Sequence, residues 1–119
     1  MGLPERARRL GVGVHDALGR GGHFRMVRNV RDVLRLRRVI LDGGYDIVHS
    51  HGTWDHILAY WALKRLRHRI PLVRTDHGAR EYRPGYWRRF YYGSEMTDHL
   101  IVLSDRFAVQ AVDRFDRSP

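Results

Sequence analysis

The chain has 119 residues, about one domain, enough to bury roughly two-thirds of its unfolded surface if it folds alone. Lys and Arg number 22 against 13 Asp and Glu, a formal net charge of +9 with the eight histidines neutral, which suits a phosphorylated ligand, an acidic membrane face or nucleic acid; every basic residue but Lys64 is Arg, which reads equally well as a compositional bias. Cysteine is absent, excluding a disulfide framework and a thiolate metal site, and no run approaches the ~20 apolar residues of a membrane span.

Residues 1–10 carry three Arg and Glu5 and lack the apolar stretch of a signal peptide, so the expected protein is cytoplasmic, soluble or peripheral at the inner membrane face. Residues 4–10 read as a helix with Pro4-Glu5 at its start and Gly11 as its stop. A short strand is predicted at residues 12–15, then a Gly-rich loop at 19–22. From about residue 26 to 41 the pattern is helical. Met26, Val30, Val33, Leu34, Ile40 and Leu41 share one face, with Arg37 inside it, while Arg28, Arg31, Arg35 and Arg38 form a separate stripe. That stripe reads as a solvated face or as a surface for acidic headgroups. Gly43-Gly44 ends the helix.

Residues 46–50 form the next predicted strand, ending in His49-Ser50-His51-Gly52. Thr53 is placed as the N-cap of a helix to about Arg67, burying Trp54, Ile57, Leu58, Trp61, Ala62 and Leu66. A strand at 72–75 runs into Asp76-His77-Gly78. A loop over 76–85 precedes an aromatic helix with Trp87, Phe90 and Tyr91. A strand at 98–104 leads to a last helix from Asp105 to about Phe115. Strands alternating with helices, each apolar run ending in polar residues, predict an α/β, Rossmann-like parallel sheet with flanking helices and a ligand crevice at the strands' carboxyl ends. Four short strands make a narrow sheet, so a partner subunit or further segment is expected to protect its edges.

In this order Gly11-Val12-Gly13-Val14, residues 45–52 with Asp55, residues 70–77 and residues 97–104 resemble the N-terminal, acceptor-side domain of GT-B family 4 glycosyltransferases. The likeness covers essentially the whole chain, read as one partial domain over residues 1–119. It implies that a first strand, a Gly-rich loop, a helix and a second strand would precede Met1. The first of those strands would lie between residue 12 and residue 47, and a second, donor-binding domain would follow Pro119. The expectation is therefore an incomplete N-terminal half of a GT-B fold: an interior fragment, a truncated reading frame or one subunit of a split enzyme.

What the resemblance implies chemically is retaining transfer from a nucleotide sugar to the hydroxyl of a glycan or lipid-linked acceptor, with no cofactor and no obligatory metal, inactive without the donor domain. It places His77 near the donor sugar and acceptor hydroxyl as the catalytic candidate, and His51 and Gly52 at the acceptor cleft. Asp76, Gly78 and Arg80 flank His77 as substrate-binding candidates. A neutral imidazole past a strand end suits the positioning of a sugar hydroxyl, and a guanidinium suits an anion; capping and a surface Asp-Arg pair are the plainer roles. Tyr82 and Tyr86, in or near the His77 loop, read as core aromatics or as a surface for stacking on a sugar ring.

Two other functions remain on the sequence. His49, His51, Asp55 and His56 suggest a metal-dependent hydrolase. Yet Asp55 lies four positions after His51, where the metallo-β-lactamase-like motif has its Asp two after, and a helix from Thr53 would send Asp55 and His56 apart. Charge with interleaved aromatics suggests a nucleic-acid-binding module, which ranks lower for want of a recognised motif.

Overall fold

Three of the apolar runs become strands, and their neighbours decide where each begins and ends. The computed structural model describes residues 2–15, 26–77, 93 and 95–115. In chain order these form α1 (Leu3–Arg9), α2 (Met26–Gly43), β1 (Val48–Ser50), α3 (Thr53–Leu63), β2 (Leu72–Asp76), β3 (His99–Val102) and α4 (Asp105–Phe115). The strands make a parallel sheet in the order β1-β2-β3. The architecture is the expected α/β, Rossmann-like one.

The central strand carries the core. Leu72, Val73, Arg74 and Thr75 are all buried, so β2 is covered on both faces, as a parallel strand requires. Burying Leu72 alone stabilises by about 1.5–3 kcal/mol relative to leaving it exposed. Register is Val48 opposite Leu72 and Ser50 opposite Arg74 on one side of β2, with Val73 opposite His99 and Asp76 opposite Val102 on the other. Pro71 has no N–H to give, and its carbonyl accepts from Val48 N–H at 3.0 Å where β1 starts. On the opposite edge, Asp98 N–H donates to the Leu72 carbonyl at 2.9 Å, Leu72 N–H donates back to Asp98 Oδ2 at 2.8 Å, and Arg69 Nη2 donates to Asp98 Oδ1. This bracket turns Asp98 into the start signal of β3, so the strand begins at His99 rather than 98. It stops at Val102 because Ser104 is taken by α4, accepting Phe107 N–H and Ala108 N–H on its carbonyl.

Polar bonds hold α3 onto this sheet. His56 is fully buried between Ser50 Oγ, 2.7 Å from its Nδ1, and Thr97 Oγ1, 2.8 Å from its Nε2. Ser50 gives its hydroxyl proton to the Val73 carbonyl, so in the neutral ring Nδ1–H donates to Ser50 and Nε2 accepts from Thr97. One imidazole thus ties β1, α3 and the segment entering β3.

Several expectations are corrected. Residues 12–15 form no strand. A strand exists by its ladder, and here Val12 N–H turns back to the Ala7 carbonyl while Gly11 N–H bonds to Arg8, a Schellman closure of α1 that uses the positive φ of Gly11. The buried side of α2 is rotated by about one residue, roughly 100°. Ile40 and Asp32 are buried, while Val30, Leu34 and Leu41 stay exposed, because the helix packs chiefly on α3. Arg37 is half-buried and donates to the Arg65 carbonyl; Arg31, Arg35 and Arg38 are exposed. In α3 the N-cap is Gly52, not Thr53, and the helix ends at Leu63, four residues early, where Arg65 takes a left-handed φ of 65°. Its buried stripe is His56, Ala59 and Ala62; Trp54 and Trp61 face outward, with Lys64 Nζ 4.5 Å from the Trp61 ring centre. Small residues let the helix approach the sheet closely, which the aromatics would prevent. The expected loop over 76–85, beyond His77, and the expected aromatic helix after it fall outside the described residues.

Asp98 supplies a pH test of this architecture. Partial burial works against its charge, but the Leu72 N–H, the bond and charge of Arg69 and the charge of His99 outweigh that and hold its carboxyl below the ordinary value. A carboxyl depressed in the folded state contributes stability that is present above its unfolded pKa of about 3.9 and lost as pH falls through the lower folded value. Asp98→Ala is expected to lower the unfolding free energy by about 1 kcal/mol at neutral pH. Urea melts should show the difference from the parent shrinking below about pH 4.

Candidate functional site

The site grows from the alternation of side chains along β1 and β2. Residues two apart point to one face, so His49 and His51 project together, with Val73, Thr75 and His77 beside them on the neighbouring strand. Ser50 and Arg74 occupy the opposite face, where α3 lies: His56 meets Ser50, and Arg74 Nη2 donates to Thr53 Oγ1 at 3.2 Å. The sheet thus separates a structural polar side from an imidazole side.

Three imidazoles form a row on that second side. The rings of His49 and His51 lie 4.4 Å apart centre to centre, and those of His51 and His77 lie 5.2 Å apart with planes inclined by 26°. His49 Nε2 is 2.7 Å from Thr75 Oγ1, and His51 Nδ1 is 2.9 Å from His77 Nε2. His51 and His77 are exposed, at the carboxyl ends of β1 and β2, where open α/β sheets bind ligands. Their bond joins one N–H to one lone pair, so it stands only while at least one ring is neutral.

A carboxylate fixes the turn carrying His51. Asp55 Oδ2 accepts the backbone N–H of His51 at 3.0 Å and of Gly52 at 2.9 Å, the reciprocal half of a capping box. A Cβ at Gly52 would sit 2.5 Å from Asp55 Oδ1, so a larger residue there would have to displace the carboxylate. The negative charge also lies in the first turn of α3, where the helix dipole favours it.

Of the residues singled out by sequence, His51, Gly52 and His77 come together. Asp76 closes β2, half-buried, one residue before His77. Gly78 and Arg80 lie outside the described residues, as do Tyr82 and Tyr86. The four residues read as a metal cluster are divided: His49 and His51 share the imidazole side, while Asp55 holds backbone amides and His56 is buried on the other side with both ring nitrogens bonded. Among the described residues no three His, Asp or Glu side chains gather as a metal site. Of the three polar strand ends, the third serves a helix, through Ser104. The pairing of His49 with Thr75 carries no signal in the sequence: it follows from the parallel register, which sets Thr75 diagonally across from His49.

A family model described as Glycosyltransferase Family 4 matches residues 2–119. Neither curated proteins nor solved structures give a significant match.

The clamp on His51 is directly testable. Removing the carboxylate in Asp55→Ala releases two amides and a helix-terminal charge, with an expected loss of about 1 kcal/mol. Chemical denaturation measures it, and Asp55→Asn should recover part of the loss through its amide oxygen.

Proposed function

The chain belongs to glycosyltransferase family 4, and from that premise we propose that it forms the acceptor side of sugar transfer from a nucleotide-sugar donor to the hydroxyl of a glycan or lipid-linked acceptor. The observation that carries this reading is the meeting of His51 and His77 at adjacent strand ends. Two exposed imidazoles there offer ring nitrogens to a sugar hydroxyl while rigid strands fix their separation.

In this reading His77 contacts the reacting sugar or the acceptor hydroxyl, and Gly52 leaves backbone room beside it. Asp76, Gly78 and Arg80 neighbour His77 in sequence and are assigned to substrate binding, with Arg80 suited to an anionic group. Transfer retains anomeric configuration and needs no obligatory metal. The developing charge on the leaving diphosphate calls for electrostatic stabilisation from a second, donor-binding domain or partner subunit, so the 119 residues by themselves do not turn over.

No helix among the described residues is long and apolar enough to cross a membrane. Exposed Arg31, Arg35 and Arg38 on α2 fit a cytoplasmic enzyme that rests against acidic headgroups at the inner membrane face while reaching a lipid-linked acceptor.

Ligand-observed and protein-observed NMR test the reading without a known substrate. Titration with a panel of glycosides and nucleotide sugars is expected to move the ring resonances of His51 and His77. His77→Ala should weaken the responding sugar by about fivefold, the loss of one neutral hydrogen bond. Binding that leaves both rings unmoved, or that His77→Ala leaves intact, contradicts it.

A further inference from the structure

The bond between His51 and His77 has a direction, and that direction decides what His77 can do. Two arrangements of neutral rings make it. If His51 Nδ1–H donates, both rings are in the Nδ1–H form; if His77 Nε2–H donates, both are in the Nε2–H form. The second places each ring in the tautomer that neutral histidine ordinarily favours, whereas the first requires two uncommon tautomers side by side. The hydrogen bond made by one ring nitrogen fixes the state of the other.

We propose that His51 is a positioning residue: it accepts Nε2–H of His77 and thereby leaves His77 Nδ1 as a lone pair, the acceptor for a donor group on the ligand. Three features hold His51 in that role. Its backbone N–H is fixed by Asp55 Oδ2, its ring lies against His49, and its ring plane is inclined by only 26° to that of His77. His49 in turn is anchored at Thr75 Oγ1, so the row has a fixed end inside the sheet.

The consequence is selectivity. With Nε2 engaged and Nδ1 unprotonated, neutral His77 recognises a group that donates a hydrogen bond. A sugar hydroxyl fits; a phosphate oxygen or a carbonyl does not. The identity of that hydroxyl rests on the glycosyl-transfer reading, whereas the tautomer does not.

The test is long-range nitrogen–proton NMR on histidine-labelled protein at alkaline pH, where the two tautomers of the neutral ring are told apart by their nitrogen shifts. His77 is expected to show a protonated Nε2 and a pyridine-type Nδ1. In His51→Ala, both nitrogens of His77 should move to the averaged shifts of mixed tautomers. In His51→Gln, whose Oε1 can accept the same proton, the single form should return. His77 protonated at Nδ1 in the parent, or unchanged in His51→Ala, overturns the proposal. The parent spectrum decides even where a variant fails to fold. A His77 tautomer that depends on His51, in a protein whose rings no sugar moves, upholds the pair and removes the transfer reading; a sugar response with the opposite tautomer does the reverse.

Discussion

Pairing of β2 with a neighbour on each side governs the rest of the molecule. A parallel ladder has no tight turn to set its register, so register must come from side chains and from the ends of strands. Here it comes from Pro71, which can offer only a carbonyl to Val48, and from Asp98, which exchanges bonds with Leu72 on the other edge. A slip of one residue along β2 would exchange its faces, sending Arg74 to the imidazole side and Thr75 beneath α3. The same register that buries Leu72 and Val73 also sets His51 beside His77.

Polar interactions do an unusual share of this positioning. Among the described residues, the buried set beyond the apolar core comprises Asp32, Ser50, His56, Arg74, Thr75 and Thr97. Burying such groups costs free energy that hydrogen bonds offset, and a bonded group fixes direction as well as distance. His56 shows the effect, because its two ring nitrogens bond to Ser50 on β1 and to Thr97 ahead of β3. Position in sequence put His56 next to Asp55 and near His51, yet it serves the fold. Chemistry that resembles a site on paper is divided by the sheet into a structural side and an exposed side.

Much of the architecture was legible because parallel strands read as apolar runs and helix stops read as glycine. Gly11 closes α1, Gly44 with φ of 59° ends α2, and Asp105 begins α4 where its sequence suggests. At Gly43 the Tyr45 ring occupies the space a Cβ would take, so a larger residue there would move that exposed ring. What failed was anything that depends on a neighbour. Residues 12–15 have strand-like composition but no ladder partner among the described residues. Apolar periodicity located α2 but misplaced its buried arc, because α3 rather than a sheet face receives it. The outward turn of Trp54 and Trp61 follows from how closely Ala59 and Ala62 let α3 approach. At the site, the alternation of His49 and His51 was readable from spacing two apart. Their meeting with Thr75 and His77 was not, because it requires the register between β1 and β2.

The central claim is that adjacent parallel strands deliver His49, His51 and His77 to one face as a contiguous row. Nuclear Overhauser contacts between the ring protons of these histidines measure it most directly. Cross-peaks from His49 to His51 and from His51 to His77 are the predicted result. Their absence, or contacts from the His77 ring to Ser50 or to α3 instead, would contradict the register and the site built on it.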